Sequence, residues 1–176
     1  GDTLLENQIT LMKPFVQRIV VVTRERWVPM VSELNHEITI VIREPSTMSD
    51  AVRLVTDKFF DKNYLVGMPD TFFSGENPYA KLNDLGQDIE VGLACWKISD
   101  ELKGRVGQVD FNTSTGVVYG MEDKKSNCPF DYMWGAMRIS YETMKKIVID
   151  NPHPGIDVAN MMNSQDIQPK ATLVQG

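Results

Sequence analysis

Runs of β-branched residues alternate with runs of helical period over the first seventy residues, and this alternation limits the fold more than any other feature. Residues 19–23 (IVVVT), 37–44 (EITIVIRE) and 63–68 (NYLVGM) read as strands. The first is too uniformly apolar for a half-exposed strand and suits a buried parallel one. Between them lie helical signals. Thr3 with Glu6 three residues later is a capping box, predicting a helix that ends near Pro14. Residues 26–34 predict a short helix with Pro29 in its first turn. Residues 46–60 form the clearest helix, with Met48, Ala51, Val52, Val55 and Phe59 on one face. Helix and strand in alternation at this spacing predict an α/β fold, a Rossmann-like doubly wound sheet with right-handed crossovers.

The pattern changes after residue 98. NPYAKLNDL predicts a helix and DIEVGLACWKI a long strand, and then RVGQVDF, the turn NTSTG, GVVYGMED and DYMWGAMRIS follow without a helix between them. These read as an antiparallel β insertion or sheet edge, which makes the sheet mixed. Helices are predicted again over 141–151 and 156–167, and KATLVQG as a last strand. No repeat, low-complexity tract or linker interrupts residues 1–176, so one domain is expected.

The net charge is −6 and the sequence pI about 4.9, which argues against a polyphosphate-gripping surface and hence against nucleic acid as a partner. Two cysteines and two histidines give neither a zinc spacing nor a disulfide framework, and a reducing, cytoplasmic setting is expected. No apolar run approaches a membrane span, so a soluble protein without a membrane partner is expected.

The candidate chemistry starts at Asp70. The apolar strand 63–68 stops at Pro69 and this carboxylate, a group that is costly to bury. It is either a turn residue or an acid placed at the carboxyl end of a sheet, where open α/β folds bind ligands and where magnesium takes oxygen ligands shared with phosphates. Trp134 and Gly135 read either as the wall of a binding site, with the glycine allowing close approach, or as core. Trp27 and Trp96 read as packing, His153 as a loop residue and His36 as a solvated one. Residues 122–125 (EDKK) fit a charged hairpin end, and Arg24 and Arg26 fit a solvated surface or a phosphate contact.

Taken together, several segments resemble the sugar-1-phosphate nucleotidyltransferases. The resemblance runs through GDTLLE, IVVV, REPSTMSDAV (the family's E-P segment and D-A-V helix), the strand ending at Pro69–Asp70, VGQVDF, VVYGMEDK (the E-K-P position) and DYMWGAM (the Y-x-x-x-G-x-Y strand). The order of these motifs is kept over nearly the whole chain. The resemblance implies that a nucleoside triphosphate and a sugar 1-phosphate are joined with release of pyrophosphate and with Mg2+ as cofactor, for glycan precursors. It implies that Asp70 is the metal ligand, that Lys124 meets the sugar phosphate, and that Asp123 stands where a glutamate usually touches sugar hydroxyls. Substrate contacts are expected further at Glu122, Trp134, Gly135, Glu44 and Pro45. Thr47 or Met48 stands where a glycine normally lets the base approach. Two alternatives share the fold: a noncatalytic sugar-nucleotide-binding module and a nucleotide-sugar glycosyltransferase. A homo-oligomer is compatible with each.

The family's G-x-G-T-R loop and D-x-G-T segment would fall just outside the 176 residues, and the expectation is that the chain is the interior of a longer catalytic domain. A parallel sheet without the strand preceding that loop would leave apolar edges on both neighbours.

Overall fold

The computed structural model describes residues 3–34, 37–86 and 88–176. Gly1 of the GDTLLE segment and His36 lie outside the described residues. The elements follow in the order α1 (Leu4–Met12), β1 (Val20–Thr23), α2 (Val28–Ser32), β2 (Thr39–Ile42), α3 (Met48–Lys58), β3 (Asn63–Gly67), α4 (Pro78–Asp84), β4 (Val91–Lys97), β5 (Gly107–Phe111), β6 (Val118–Asp123), β7 (Tyr132–Ser140), α5 (Tyr141–Met144), α6 (Pro154–Asn163) and β8 (Lys170–Leu173).

Local chemistry sets several boundaries. The Thr3 hydroxyl accepts from the Glu6 N–H at 3.1 Å while the Glu6 carboxylate accepts from the Thr3 N–H at 2.7 Å, so α1 starts on the expected capping box. The helix tightens into a 3-10 turn over Lys13–Phe15 at Pro14. Thr47 caps α3, accepting from the Asp50 N–H at 2.9 Å. In the β5–β6 hairpin the Asn112 carboxamide accepts from the N–H groups of Ser114 and Thr115, and Gly116 takes a φ of +71° that a side chain would resist.

β4 shows how the core is divided. Val91, Leu93 and Cys95 face α5 and α6 with Val158, Met161 and Met144, whereas Ala94 faces α4 with Tyr79 and Leu82. The strand is buried on both faces, as the sheet centre of a doubly wound fold requires. Buried methionines at 121, 137, 144 and 161 fill the space between sheet and helices. Both cysteines are buried thiols, and burial pushes the Cys95 thiol far up from its usual range.

The sheet differs from the sequence reading in one respect that governs the site. The 132–140 strand is antiparallel to its neighbours, as expected, but it is not at an edge: β7 pairs along one side with β4, and along the other with both β3 and β5. Local alternation cannot reveal this, because an edge strand and a central one carry the same period. β3, β4, β5 and β8 run one way and β6 and β7 the other.

β1 and β2 form a separate parallel pair. Among the described residues, no strand pairs with the edges that β1 and β3 turn toward each other. A cavity of about 820 Å³ lies between them, bordered by α1 on one side and by the apolar face of α3 (Met48, Ala51, Val52, Val55) on the other. The edges of β1 and β3 are among its walls.

Two helix and packing expectations fail. The helix over 141–151 shortens to α5, and turns carry the chain from there to residue 153. The β-branched run Ile147–Val148–Ile149 resists helix, and Pro152 excludes its continuation. Trp27 is not packed: it is 46% exposed, with the Arg26 guanidinium over its ring. No described helix is long and apolar enough to cross a membrane.

Candidate functional site

The site is built where β3 ends and β5 begins along the same side of β7. β3 pairs with residues 136–140 of β7 and β5 with residues 132–133, so the handover falls at Trp134 and Gly135. On the opposite side the β4 register steps from Ala94–Ala136 to Cys95–Trp134, which leaves Gly135 as the extra residue of a β-bulge. The bulge reverses the alternation of side chains and turns Trp134 onto the same face as Met137 and Ile139. Strand β3 delivers Asp70 to this split from one direction. Strand β6, paired with β5 so that Asp123 lies opposite Gly107, delivers Asp123 and Lys124 from the other.

Asp70 lies inside the turn closed by the Thr71 N–H donating to the Met68 carbonyl at 3.1 Å. It is exposed, lines the mouth of the large cavity, and its carboxylate has no protein partner among the described residues. Both elements of the sequence reading hold, since it is a turn residue at the carboxyl end of a strand. Beyond it the loop docks on the end of β8: the Glu76 N–H donates to the Gln175 carbonyl at 3.0 Å and the Gln175 N–H to the Glu76 carboxylate at 2.9 Å.

Residues 122–125 divide their charges in a definite way. Glu122 pairs with Lys125 at 2.9 Å, and that contact pushes the Lys125 ammonium up from its ordinary value. Asp123 pairs through Oδ2 with His153 Nε2 at 2.8 Å. Lys124 is left exposed and without an ion pair among the described residues. It sits at a φ of +47°, held by its N–H donating to the Val106 carbonyl at 3.2 Å. A non-glycine residue in this left-handed region costs roughly 1 kcal/mol or more, a cost found most often at functional sites.

The other expected contacts are placed differently. Trp134 takes the core reading: it is 8% exposed and wedged between Gly107 and Gly155, where an added Cβ would come within 2.2 and 2.6 Å of the indole. Gly135 permits a close approach, but by a protein ring. An added Cβ would stand 2.8 Å from Trp96, which stacks on Phe73 at 4.8 Å. Both therefore contact protein groups and do not form an open wall. Glu44 and Pro45 stand at the end of β2. Glu44 pairs with Arg24 at 3.2 Å, which takes up that cation, and Pro45 helps line a shallow pocket of about 270 Å³ with Arg24, Arg26 and Trp27. No direct contact joins them to Asp123. The helix that follows does reach that quarter, because the Met48 N–H donates to the Pro152 carbonyl at 3.1 Å, next to His153.

His153 was missed by sequence reasoning, which placed it in a loop. It is the N-cap residue of α6, with Pro154 at the first helical position. That position was legible, since proline favours it; a partner thirty residues earlier was not. One turn into α6, the buried Asp157 accepts from the Asn151 side chain at 2.7 Å. Desolvation pushes its carboxyl above the usual 3.8, with the Asn151 hydrogen bond opposing. A raised carboxyl stabilises the fold in its protonated form, fully below about pH 3.8, and that contribution is lost as pH rises through the folded-state value. Asp157→Asn is therefore expected to raise the thermal midpoint at pH 7, with the gain shrinking as pH falls toward 4; calorimetry across pH checks it.

No family model and no curated protein matches the chain in sequence. Solved structures do match it in fold. A putative glucose-1-phosphate thymidylyltransferase from Bacillus anthracis, in complex with a sucrose, superposes with a TM-score of 0.77 at 14% identity, covering 98% of this chain and 74% of that one. CMP:2-keto-3-deoxy-manno-octonic acid synthetase complexed with CTP gives 0.71 at 13%, covering 100% and 80%. HddC from Yersinia pseudotuberculosis gives 0.66 at 17%, covering 97% and 74%. The mixed sheet with helices on both faces is thus a fold that the chain shares with these solved structures.

Proposed function

We propose that the chain carries the catalytic scaffold of a nucleotidyltransferase that joins a sugar 1-phosphate to a nucleoside triphosphate. An oxygen of the sugar phosphate attacks the α-phosphorus, the bond from that phosphorus to the bridging oxygen of the β-phosphate breaks, and pyrophosphate leaves with the electron pair. The observation that supports this reading is the order of strands along β7, where the end of β3, which leads to Asp70, is followed by the start of β5, whose partner β6 carries Asp123, held by an imidazole, and leads to Lys124, a cation in strained backbone without an ion pair among the described residues. Such a reaction needs placement and charge neutralisation more than covalent help.

Lys124 would bind the phosphate of the sugar phosphate, and Asp123 would accept a hydroxyl of its sugar. Magnesium fits Asp70 by donor chemistry: a lone exposed carboxylate with no protein partner suits an ion that usually keeps one or two carboxylates and shares substrate phosphates. No group of three or more metal-ligating side chains exists among the described residues, so the substrate would have to complete the coordination. When bound, the ion would neutralise charge on the triphosphate.

The test is pyrophosphate release across nucleoside triphosphates and sugar 1-phosphates. Lys124→Ala should raise KM for the sugar 1-phosphate about tenfold or more, the loss of one charge-assisted contact of about 1.5–3 kcal/mol. KM for the triphosphate should stay within about twofold. The reverse split would remove Lys124 from the sugar side. Ligand-induced stabilisation without turnover would favour the noncatalytic binding module, and sugar transfer to an acceptor without pyrophosphate release the glycosyltransferase.

A further inference from the structure

The pair formed by His153 and Asp123 has a role that its packing and hydrogen bonding define. The His153 side chain is 12% exposed and that of Asp123 23%. A carboxylate can only accept, so Nε2 carries the proton and donates to Oδ2 at 2.8 Å. Among the described residues, Nδ1 is buried without a hydrogen-bond partner, and so is Oδ1 of Asp123. The imidazole is therefore set by packing: it follows the backbone of the α6 N-cap, and its ring lies 6.1 Å from that of Trp134, which Gly107 and Gly155 admit on either side. A buried acceptor without a donor is unfavourable. Asp123 is held with Oδ1 turned inward at that cost, and among the described residues its carboxylate is bonded by the His153 side chain.

The charges around it give this orientation a consequence. Of the four residues 122–125, Glu122 is taken by Lys125 and Asp123 by His153, so Lys124 keeps no counter-ion. A carboxylate released from the imidazole is free to swing toward the adjacent ammonium and neutralise it. We infer that His153 is a positioning residue acting through Asp123: it fixes that carboxylate as a hydroxyl acceptor and keeps it from pairing with Lys124, which stays available to a phosphate. The inference deepens the proposed function and rests on it, naming the residue that sets affinity for the phosphorylated sugar.

The experiment is steady-state kinetics with the sugar 1-phosphate and triphosphate pair that the wild type turns over best, on wild type, His153→Ala and His153→Gln. The Gln side-chain amide reaches about as far as Nε2 and can donate to Oδ2. His153→Ala is expected to raise KM for the sugar 1-phosphate about tenfold, with kcat and KM for the triphosphate within about twofold. His153→Gln is expected to restore KM to within about threefold of wild type. In an Asp123→Asn background, His153→Ala should add little, because the two act as one unit. A merely structural role would lower the thermal midpoint and the active fraction without this split, and Gln would not rescue it. An unchanged KM in His153→Ala, equal effects of Ala and Gln, or a loss confined to kcat or to the triphosphate would overturn the inference. Absence of turnover by the wild type with every pair would instead overturn the nucleotidyltransferase reading beneath it.

Discussion

Asp70→Asn is expected to lower magnesium-dependent pyrophosphate release by about a thousandfold while the thermal midpoint stays within about 2 °C of wild type. The size follows from the several kcal/mol of charge stabilisation that a bound metal contributes, at about 1.36 kcal/mol per decade of rate. The amide keeps the shape of the side chain and one oxygen, but it loses the charge that would attract a divalent cation. The fold should not notice. Asp70 is exposed and its carboxylate contacts no other described group, and substitutions at such surface positions usually stay within about 0.5 kcal/mol. Removing the metal with a chelator should reduce the wild type to the variant's level and leave the variant unchanged. Release by Asp70→Asn at the wild-type rate would remove Asp70 from the metal and leave it as the turn residue that its local sequence equally allows.

The elements of this architecture were legible wherever the signal is local. Thr3 and Glu6 are three residues apart, so the capping box is written in the chain and is found in the structure. The face of α3 is carried by a 3.6-residue period, and the NTSTG hairpin by a side chain that accepts from its own loop. Partner choice was not legible. The alternation in DYMWGAMRIS is the same whether one strand or three lie beside it, and nothing near Gly135 announces that the bulge there turns Trp134 into the core.

The candidate site followed the same division. Asp70, Asp123 and Lys124 were reachable because each closes a recognisable strand. His153 was not, because its partner is fixed by how α6 packs on β6. Trp134 had two readings in the sequence, and burial decided between them. What brings the legible residues together is the illegible one, the long strand on whose side β3 and β5 meet.

That strand makes the second large prediction. Ile139 stands on β7 between Tyr64 of β3 and Val91 of β4, fully buried and inside the main core cluster. Ile139→Ala removes buried methylene and methyl groups where the helices cannot close in from one side alone, and it should cost about 2–5 kcal/mol. At roughly 2–4 °C per kcal/mol for a chain of this size, the midpoint should fall by about 4–20 °C. Val148→Ala is the control, because the same kind of truncation at a residue 51% exposed should cost about 0.5 kcal/mol or less. The comparison tests sheet order directly. An edge strand of the kind that the sequence suggested would leave Ile139 with one neighbour and a loss near 1 kcal/mol; a central strand gives the larger value. A loss that small would also remove the basis for grouping Asp70 with Asp123 and Lys124, since that grouping rests on a β7 flanked by β3 and β5 on one side.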